Sequence, residues 1–361
     1  MANFNYSVKQ IARETLPHLI DNLVFPNLVY RDSIPGNAAK LGDTVSVRCP
    51  VKLTATEFNE QSGVSPTDWQ KDTVDVKLDH LATVDMQIGA LEAACDFDSV
   101  VNQFIKPAAA ALAEKINKEG LELYKDIPYY AGTAGTTPDG LDDIANASYA
   151  LDNQKVPIGM RCAVWDPLAA SKLKQVPAIV NAEKCGSSEA LRTGSIGRVF
   201  GVENYMSQAV AAHTTAVTAA SLYAAASNST TLKLTLTGGT LKKGDLLKFG
   251  NTSVVCTSDS TAASQYAVVT VYPALTAASG TAATVIGSHT ANLVFHPDAF
   301  AFITRPLQAP AGVESYVTRY NGISLRVVRG YDMTYKREIL SMDVLYGFKT
   351  IYPELAVRYL G

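Results

Sequence analysis

Thr73-Val74-Asp75-Val76-Lys77-Leu78-Asp79-His80-Leu81-Ala82-Thr83-Val84-Asp85-Met86-Gln87-Ile88 runs in strict period two. Val74, Val76, Leu78, His80, Ala82, Val84, Met86 and Ile88 fall on one side, and Thr73, Asp75, Lys77, Asp79, Leu81, Thr83, Asp85 and Gln87 on the other. That alternation predicts a β-strand with one buried face. At ~3.3 Å per residue the strand would reach about 50 Å, whereas an ordinary strand spans under ~20 Å, so it is expected to project from the body. Its natural partner is Thr44-Val45-Ser46-Val47-Arg48 with the stretch beyond Pro50. The polar segment between them carries Gly63 and Pro66 as a broad hairpin tip. The competing reading is two separate sheet strands joined by a loop.

After this stretch Phe97, Val101, Phe104, Ala108, Leu112 and Ile116 recur at three- and four-residue spacing. They predict a long amphipathic helix over 97–126, opened by Asp96 or Asp98 and kinked where Pro107 removes a hydrogen bond. Before the alternating stretch, Val8, Ile11, Leu16, Leu19, Ile20 and Leu23 make a second amphipathic pattern that Pro17 interrupts, which fits either one helix or two short ones. Between Gly140 and Val210 the pattern is mixed: a helix opens at Asp142, Asp143 and Ile144, Met160 to Trp165 reads as a strand, and Pro167 starts another helix. Leu293–Ile303, Ile323–Val328, Ile339–Tyr346 and Leu355–Leu360 read mainly as strands.

Charge marks an insertion. From Ala212 to Thr290 only Lys233, Lys242, Lys243, Asp245, Lys248 and Asp259 are charged, about 8% against about 21% in the rest of the chain. Within this segment Leu232–Leu236 and Val268–Val271 alternate, and turn clusters fall at Gly238-Gly239, Lys243-Gly244-Asp245 and Phe249-Gly250-Asn251. A small β-barrel or sandwich is expected, with Ala/Ser/Thr-rich flanks that fit either strands or linkers.

The whole chain, 361 residues with 47% hydrophobic side chains, can bury a sizeable core. Its net charge of −3 excludes a global basic field of the kind that binds nucleic acid or an anionic membrane, and only 18% of residues are charged, below the ~25% usual for soluble domains. The N-terminal MANFNYSVKQIARETL lacks the features of a secretory signal, and the most uniform apolar run, Ala108 to Ala113, is far shorter than a bilayer span, so a soluble chain is expected. Cys49, Cys95, Cys162, Cys185 and Cys256 are scattered and odd in number, which suits a reducing compartment and isolated small hydrophobes better than disulfides or zinc.

Chemistry is hard to find. The phosphate-loop, dinucleotide, zinc-protease and hydrolase motifs are absent. Thr193-Gly194-Ser195-Ile196-Gly197-Arg198-Val199-Phe200-Gly201 fits a turn into a strand better than an anion cradle. Asp96/Asp98 and Asp139/Asp142/Asp143 sit at expected helix starts, where capping explains them better than metal binding. His18, His80, His213, His289 and His296 are dispersed, and His80 on the apolar side of the alternating strand reads as a structural histidine. No catalytic, cofactor-binding or metal residue is assigned, and the chain is not expected to be an enzyme.

Several words nevertheless come in a telling order. Asn22-Leu23-Val24-Phe25-Pro26-Asn27-Leu28-Val29-Tyr30-Arg31-Asp32 and Lys40-Leu41-Gly42-Asp43-Thr44-Val45 resemble the N-terminal signature of P22-like tailed-phage coat proteins, and Phe104 to Ile116 resembles the spine helix of that family. Gly197–Val202, Asn292–Phe300, Leu345–Lys349 and Pro353–Arg358 resemble later family segments. Pro17 departs from the pattern, since an uninterrupted helix belongs there.

The resemblance implies an α+β HK97-like capsid fold with an inserted β-barrel of the telokin-like or I-domain type. The expected division is an N-terminal arm (1–42), an extended loop (43–88), a peripheral domain (89–134 and 318–361) with spine helix 97–126, an axial domain (135–211 and 291–317) and the insertion (212–290). It implies a major capsid protein of a bacteriophage virion. Such a protein assembles in the host bacterial cytoplasm as pentamers and hexamers, with a scaffolding protein and a portal, a possible decoration protein, nonspecific contact with packaged double-stranded DNA, and neither membrane nor cofactor. An encapsulin-like compartment shell is the alternative. An enzyme or carbohydrate-binding protein with a β-sandwich insert is a third reading. A two-stranded ribbon has too little core to stand alone, so it is expected to lie on a neighbouring subunit. Phe58 and Trp69 near its tip, with Val74, Val76 and Leu78, are the expected intersubunit contacts.

Overall fold

The computed structural model describes residues 7–31, 39–48, 73–88, 101–181, 189–262, 265–332 and 337–361. Ser7 opens helix α1 (Val8–Asn22) with a reciprocal cap, its hydroxyl accepting from the Gln10 N–H while the Gln10 side chain accepts from the Ser7 N–H. The chain continues through α2 (Phe25–Leu28), β1 (Tyr30–Arg31), β2 (Thr44–Arg48), β3 (Thr73–Lys77) and β4 (His80–Ile88). A π-helical turn (Val101–Ile105) leads into α3 (Lys106–Leu121), which ends in a 3-10 turn (Glu122–Asp126). Then come β5 (Tyr130–Gly132), α4 (Leu141–Asn153), β6 (Arg161–Trp165), α5 (Pro167–Leu173), α6 (Pro177–Val180), α7 (Glu189–Thr193), β7 (Gly197–Val199) and β8 (Val202–Met206).

The charge-poor segment supplies β9 (Ala212–His213), β10 (Ala219–Leu222), β11 (Ala226–Thr237), β12 (Leu246–Phe249), β13 (Thr252–Cys256), β14 (Thr261–Ala262), β15 (Ala267–Ala277) and β16 (Ala282–Val285). The chain returns through β17 (His289–Phe295), β18 (Phe300–Arg305), β19 (Glu314–Tyr320), β20 (Ile323–Asp332), β21 (Arg337–Thr350) and β22 (Ala356–Leu360).

Two sheets and two helices share the main core. One sheet is ordered β1-β18-β21-β20-β19, with β4 also on β21; the other is β5-β22-β17-β6-β8-β7, with β9 on β17. α1 packs on α3, β19 and β20. Phe25 sits at the centre, its ring 5.5 Å from those of both Phe295 and Phe300. The second sheet is covered on both faces: Cys162, Val164, Leu293 and Phe295 face the main core, while Ala163, Trp165, Val294 and Val357 face α4 and α5. That double burial is why β6 and β22 read as nearly unbroken apolar runs.

The insertion forms a closed six-strand barrel. Its strands run β11-β10-β16-β12-β13-β15, and β15 returns to pair with β11. Val217, Leu222, Leu232, Leu234, Leu247, Val254, Val269, Val271 and Leu275 fill its own core. The Ala/Ser/Thr-rich flanks are strands here, because small side chains fit the narrow interior: Ala220, Ala226 and Ala283 are buried.

Several expectations are corrected. Thr73–Ile88 is not one projecting strand. Leu78 bonds through its N–H to the Asp43 carbonyl (2.8 Å) and through its carbonyl to the Gly42 N–H (2.7 Å). Beyond that fixed point β4 leaves the ribbon and pairs along β21, from His80 opposite Tyr346 to Ile88 opposite Glu338. The alternation survives the break because both halves have a buried side. The N-terminal pattern is a single helix that passes through Pro17, held by burial of Ile11, Leu16 and Leu19. The long helix is continuous over Val101–Asp126, and its π turn lies just before Pro107, where the N–H is missing. Phe97, Asp96 and Asp98 lie outside the described residues. Leu293–Ile303 is divided at His296-Pro297, so β17 and β18 belong to different sheets. For the same reason β18 lies beside β21 rather than with β6, while β5 and β22 join the β6 sheet, a different grouping from the peripheral and axial segments drawn above.

Candidate functional site

Three regions outside the main core bear on function: the base of the ribbon, an exposed apolar rim, and the seam between barrel and body. At the first, β2 and β3 pair from Thr44 opposite Lys77 to Arg48 opposite Thr73. Val76 and Leu78, expected at an intersubunit contact, are 0% exposed and pack inside the chain with Val47, Ala39, Ala301, Ile303 and Leu345. The ribbon's foot is therefore anchored on its own subunit. Val74 is half-buried, and Phe58 and Trp69 lie outside the described residues. Just past the foot, His80 stacks on Tyr346 (5.6 Å) and its Nδ1 lies 3.1 Å from Glu119 Oε2. The Tyr346 hydroxyl donates to the same carboxylate. Burial, then Glu119, raises the Tyr346 pKa. The structural reading of His80 fits this position.

The apolar rim gathers where the loop before β6 meets the β7–β8 turn. Ile158, Met160 and Phe200 are 71%, 70% and 55% exposed. Ile158 Cγ2 comes within 3.8 Å of the point where a side chain on Gly201 would begin. Met160 and Phe200 both hold positive φ, 60° and 48°, which bulky residues rarely adopt. Thr193–Gly201 is thus a turn into the β7–β8 hairpin, as its sequence indicated.

The seam is polar and buried. β9 and β17 lead into and out of the barrel and pair there, with His213 opposite His289. Asp245, in the barrel loop between β11 and β12, accepts from His213 Nε2 (2.8 Å), the Thr215 hydroxyl (2.9 Å) and the Lys242 N–H (2.7 Å). The other His213 nitrogen meets the Tyr124 hydroxyl at 3.0 Å, just past α3. Arg358 on β22 is wholly buried; it donates to the carbonyls of Gly244 (2.8 Å), Tyr124 and Ile127 and lies over the Tyr124 ring. Gly244 has φ +99°, and a side chain there would run into Lys125. At the rim Lys243 pairs with Asp126 (3.0 Å). Burial opposes ionisation of Asp245, but its bonds to His213, Lys242 and Thr215 outweigh that and lower its pKa. Burial brings Arg358 down to about 10 and His289 down to about 4.

Sequence reasoning missed this seam: Lys243-Gly244-Asp245 was legible only as a turn, and Arg358 as one residue of a strand. The available signal was positional, a histidine at each end of the charge-poor segment. Elsewhere Asp143 caps α4, accepting from the Asp139 and Gly140 N–H groups at 2.8 and 3.0 Å. Burial raises the Cys162 and Cys256 thiols to about 11 and about 12, which makes both poor nucleophiles. Among the described residues no three His, Cys, Asp or Glu side chains are grouped to hold a metal ion, and no helix is long and apolar enough to cross a membrane.

No family model and no curated protein matches the chain. The solved structures to which it is similar are mostly those of phage capsids. A structure from Mycobacterium phage Che8 is 19% identical, with a TM-score of 0.49, over 93% of this chain and 90% of that one. The capsid of cyanophage P-SCSP1u is 12% identical (TM-score 0.47, 94% and 88% covered), and that of Ralstonia phage GP4 10% (0.44, 92% and 86%).

Proposed function

We propose that this chain is the major capsid protein of a tailed bacteriophage, a structural subunit that closes into an icosahedral shell around double-stranded DNA. The order of parts along the chain carries this reading. A helical arm, a ribbon anchored at its foot, a long helix, a mixed α/β layer and an inserted closed barrel follow in the sequence that the P22-like words imply. The HK97-like assignment rests on the same order, with the ribbon as extended loop, α3 and its flanking turns as spine helix, and the β6–β8 layer as axial domain.

Chemistry supports assembly over catalysis. The polar seam is buried and most of its groups are bonded within the chain, whereas the exposed apolar rim of Ile158, Met160 and Phe200 suits burial against a neighbouring copy. In this reading Phe58 and Trp69 at the ribbon tip, with Val74, complete the intersubunit contact. Scaffolding protein, portal and a decoration protein are its partners, and contacts with packaged DNA are phosphate-directed through local Lys and Arg.

Electron microscopy of the purified chain, with and without a scaffold partner, tests the proposal. Closed shells of pentamers and hexamers are expected; a discrete monomer under all conditions would sink it, and shells carrying enzyme cargo in place of DNA would favour a compartment protein. Replacing Phe58 and Trp69 together by Ala tests the tip: unchanged shell yield and stability would remove its anchoring role.

A further inference from the structure

The seam holds two histidines whose rings are 5.3 Å apart and at most 5% exposed, at the two strands by which the barrel joins the body. Their surroundings differ. His213 is bonded through both nitrogens, to Asp245 and to Tyr124. His289 uses one: Nδ1 lies 2.8 Å from the Gly287 carbonyl, which only accepts, so Nδ1 carries the hydrogen. Its Nε2 is buried with no protein hydrogen-bond partner and is the atom left to take a proton.

A proton there is opposed first by burial, which outweighs the bond to Gly287 and the attraction of Asp245. From β22 the guanidinium of Arg358 acts on His289 as a like charge, and from β9 His213 is a second imidazole. From the barrel loop comes Asp245, whose carboxylate already accepts from His213, Thr215 and Lys242. Tyr124, in the 3-10 turn after α3, meets His213 edge-on, and Cys256 on β13 adjoins Asp245 and Arg358 with its thiol neutral. Lys125, Glu122, Asp126 and Lys243 lie toward solvent, paired among themselves. The imidazolium would therefore sit in a buried site beside a buried arginine.

We propose that protonation of His289 opens this seam, so that acid releases the barrel from the body while the barrel itself stays folded. Separation is possible because the barrel has a core of its own, whereas its hold on the body is narrow: the Arg358–Gly244 and Tyr124–His213 bonds, the Lys243–Asp126 pair and a small apolar cluster of Leu246 and Val255 with Leu360. Opening returns His289 to water and to an ordinary pKa near 6.5, against about 4 in the closed seam. The opening equilibrium then grows about tenfold per pH unit across that window, on the order of a hundredfold between pH 7 and pH 4.5. This holds whether or not the chain forms shells.

Amide hydrogen exchange of the full chain, corrected for the intrinsic pH dependence of exchange, tests it. Between pH 7 and 4.5, protection over 211–217, 242–247 and 287–291 should fall about a hundredfold, while 232–236 and 268–271 inside the barrel keep theirs. His289→Asn, which does not titrate and retains a donor for Gly287, should flatten the response. Unchanged seam protection, loss of the barrel core in step with the seam, or an undiminished response in His289→Asn would each overturn the proposal. Should that variant fail to fold, the wild-type profile decides alone: a seam transition centred outside the window from about 4 to about 6.5 overturns it.

Discussion

The carbonyl of Lys77 occupies the space where a side chain on Gly347 would begin. β3 thus crosses β21 at direct backbone contact, and this crossing separates the ribbon from the sheet that β4 joins. Gly347→Ala cannot be absorbed by a rotamer change, because the obstacle is backbone. We expect a loss of about 2 kcal/mol, read as a lower midpoint in chemical denaturation, with the first protection lost in hydrogen exchange over 73–79. An unshifted midpoint would show that the crossing is looser than described.

Asn117 ties the helical arm to α3. Its Oδ1 accepts from the Val24 and Phe25 N–H groups at 3.0 and 3.2 Å, and its Nδ2 donates to the Asn22 carbonyl at 3.1 Å. Asn117→Ala leaves the buried Phe25 N–H, the part-buried Val24 N–H and the Asn22 carbonyl without this partner, and about 2 kcal/mol of stability should be lost. Asn117→Asp keeps the acceptor and loses the donor, so the two denaturation curves together apportion the effect.

Arg358 reaches three carbonyls that no shorter or non-planar cation can serve at once. Arg358→Met should cost about 3 kcal/mol, and Arg358→Lys should recover less than half of it. Calorimetry should show the barrel uncoupling as a transition of its own, in contrast to the wild-type profile.

Acid should destabilise the intact chain, and the sign follows from two groups. His289 is held below its unfolded pKa, so its contribution is full above about 6.5 and declines as pH falls toward about 4, a loss of about 3 kcal/mol. Asp245 is lowered as well, so its contribution persists above the ordinary aspartate range and disappears only in stronger acid. Thermal midpoints measured from pH 7 to pH 4 should fall steadily, and His289→Asn should remove most of the slope. A midpoint that rose toward pH 4 would contradict the His289 assignment.

The fragment 213–290 should fold alone. Its ring of strands closes on itself, and the Asp245–His213 bond lies within it. A dispersed amide spectrum is expected; a collapsed one would mean that Tyr124 and Arg358 are needed to complete the barrel.

Much of the architecture is written locally in the chain. Periodicity alone determines that Val101–Asp126 is helical and that both halves of Thr73–Ile88 are extended, because each pattern records which side of an element is buried. Composition alone marks the barrel, since a narrow closed ring takes small and apolar side chains and few charges. Tertiary structure decided what these elements pair with. Nothing in the alternation from Thr73 to Ile88 tells the residues that pair with β2 from those that pair with β21; that division is made at Leu78, by a turn about 35 residues upstream in sequence and by the absence of a side chain at Gly347. Likewise His213, Asp245, Tyr124, His289 and Arg358 are far apart in the chain, and no local pattern ties one to another. They form one buried seam because three segments converge there, and only that convergence removes the water that would otherwise make each of them an ordinary polar residue.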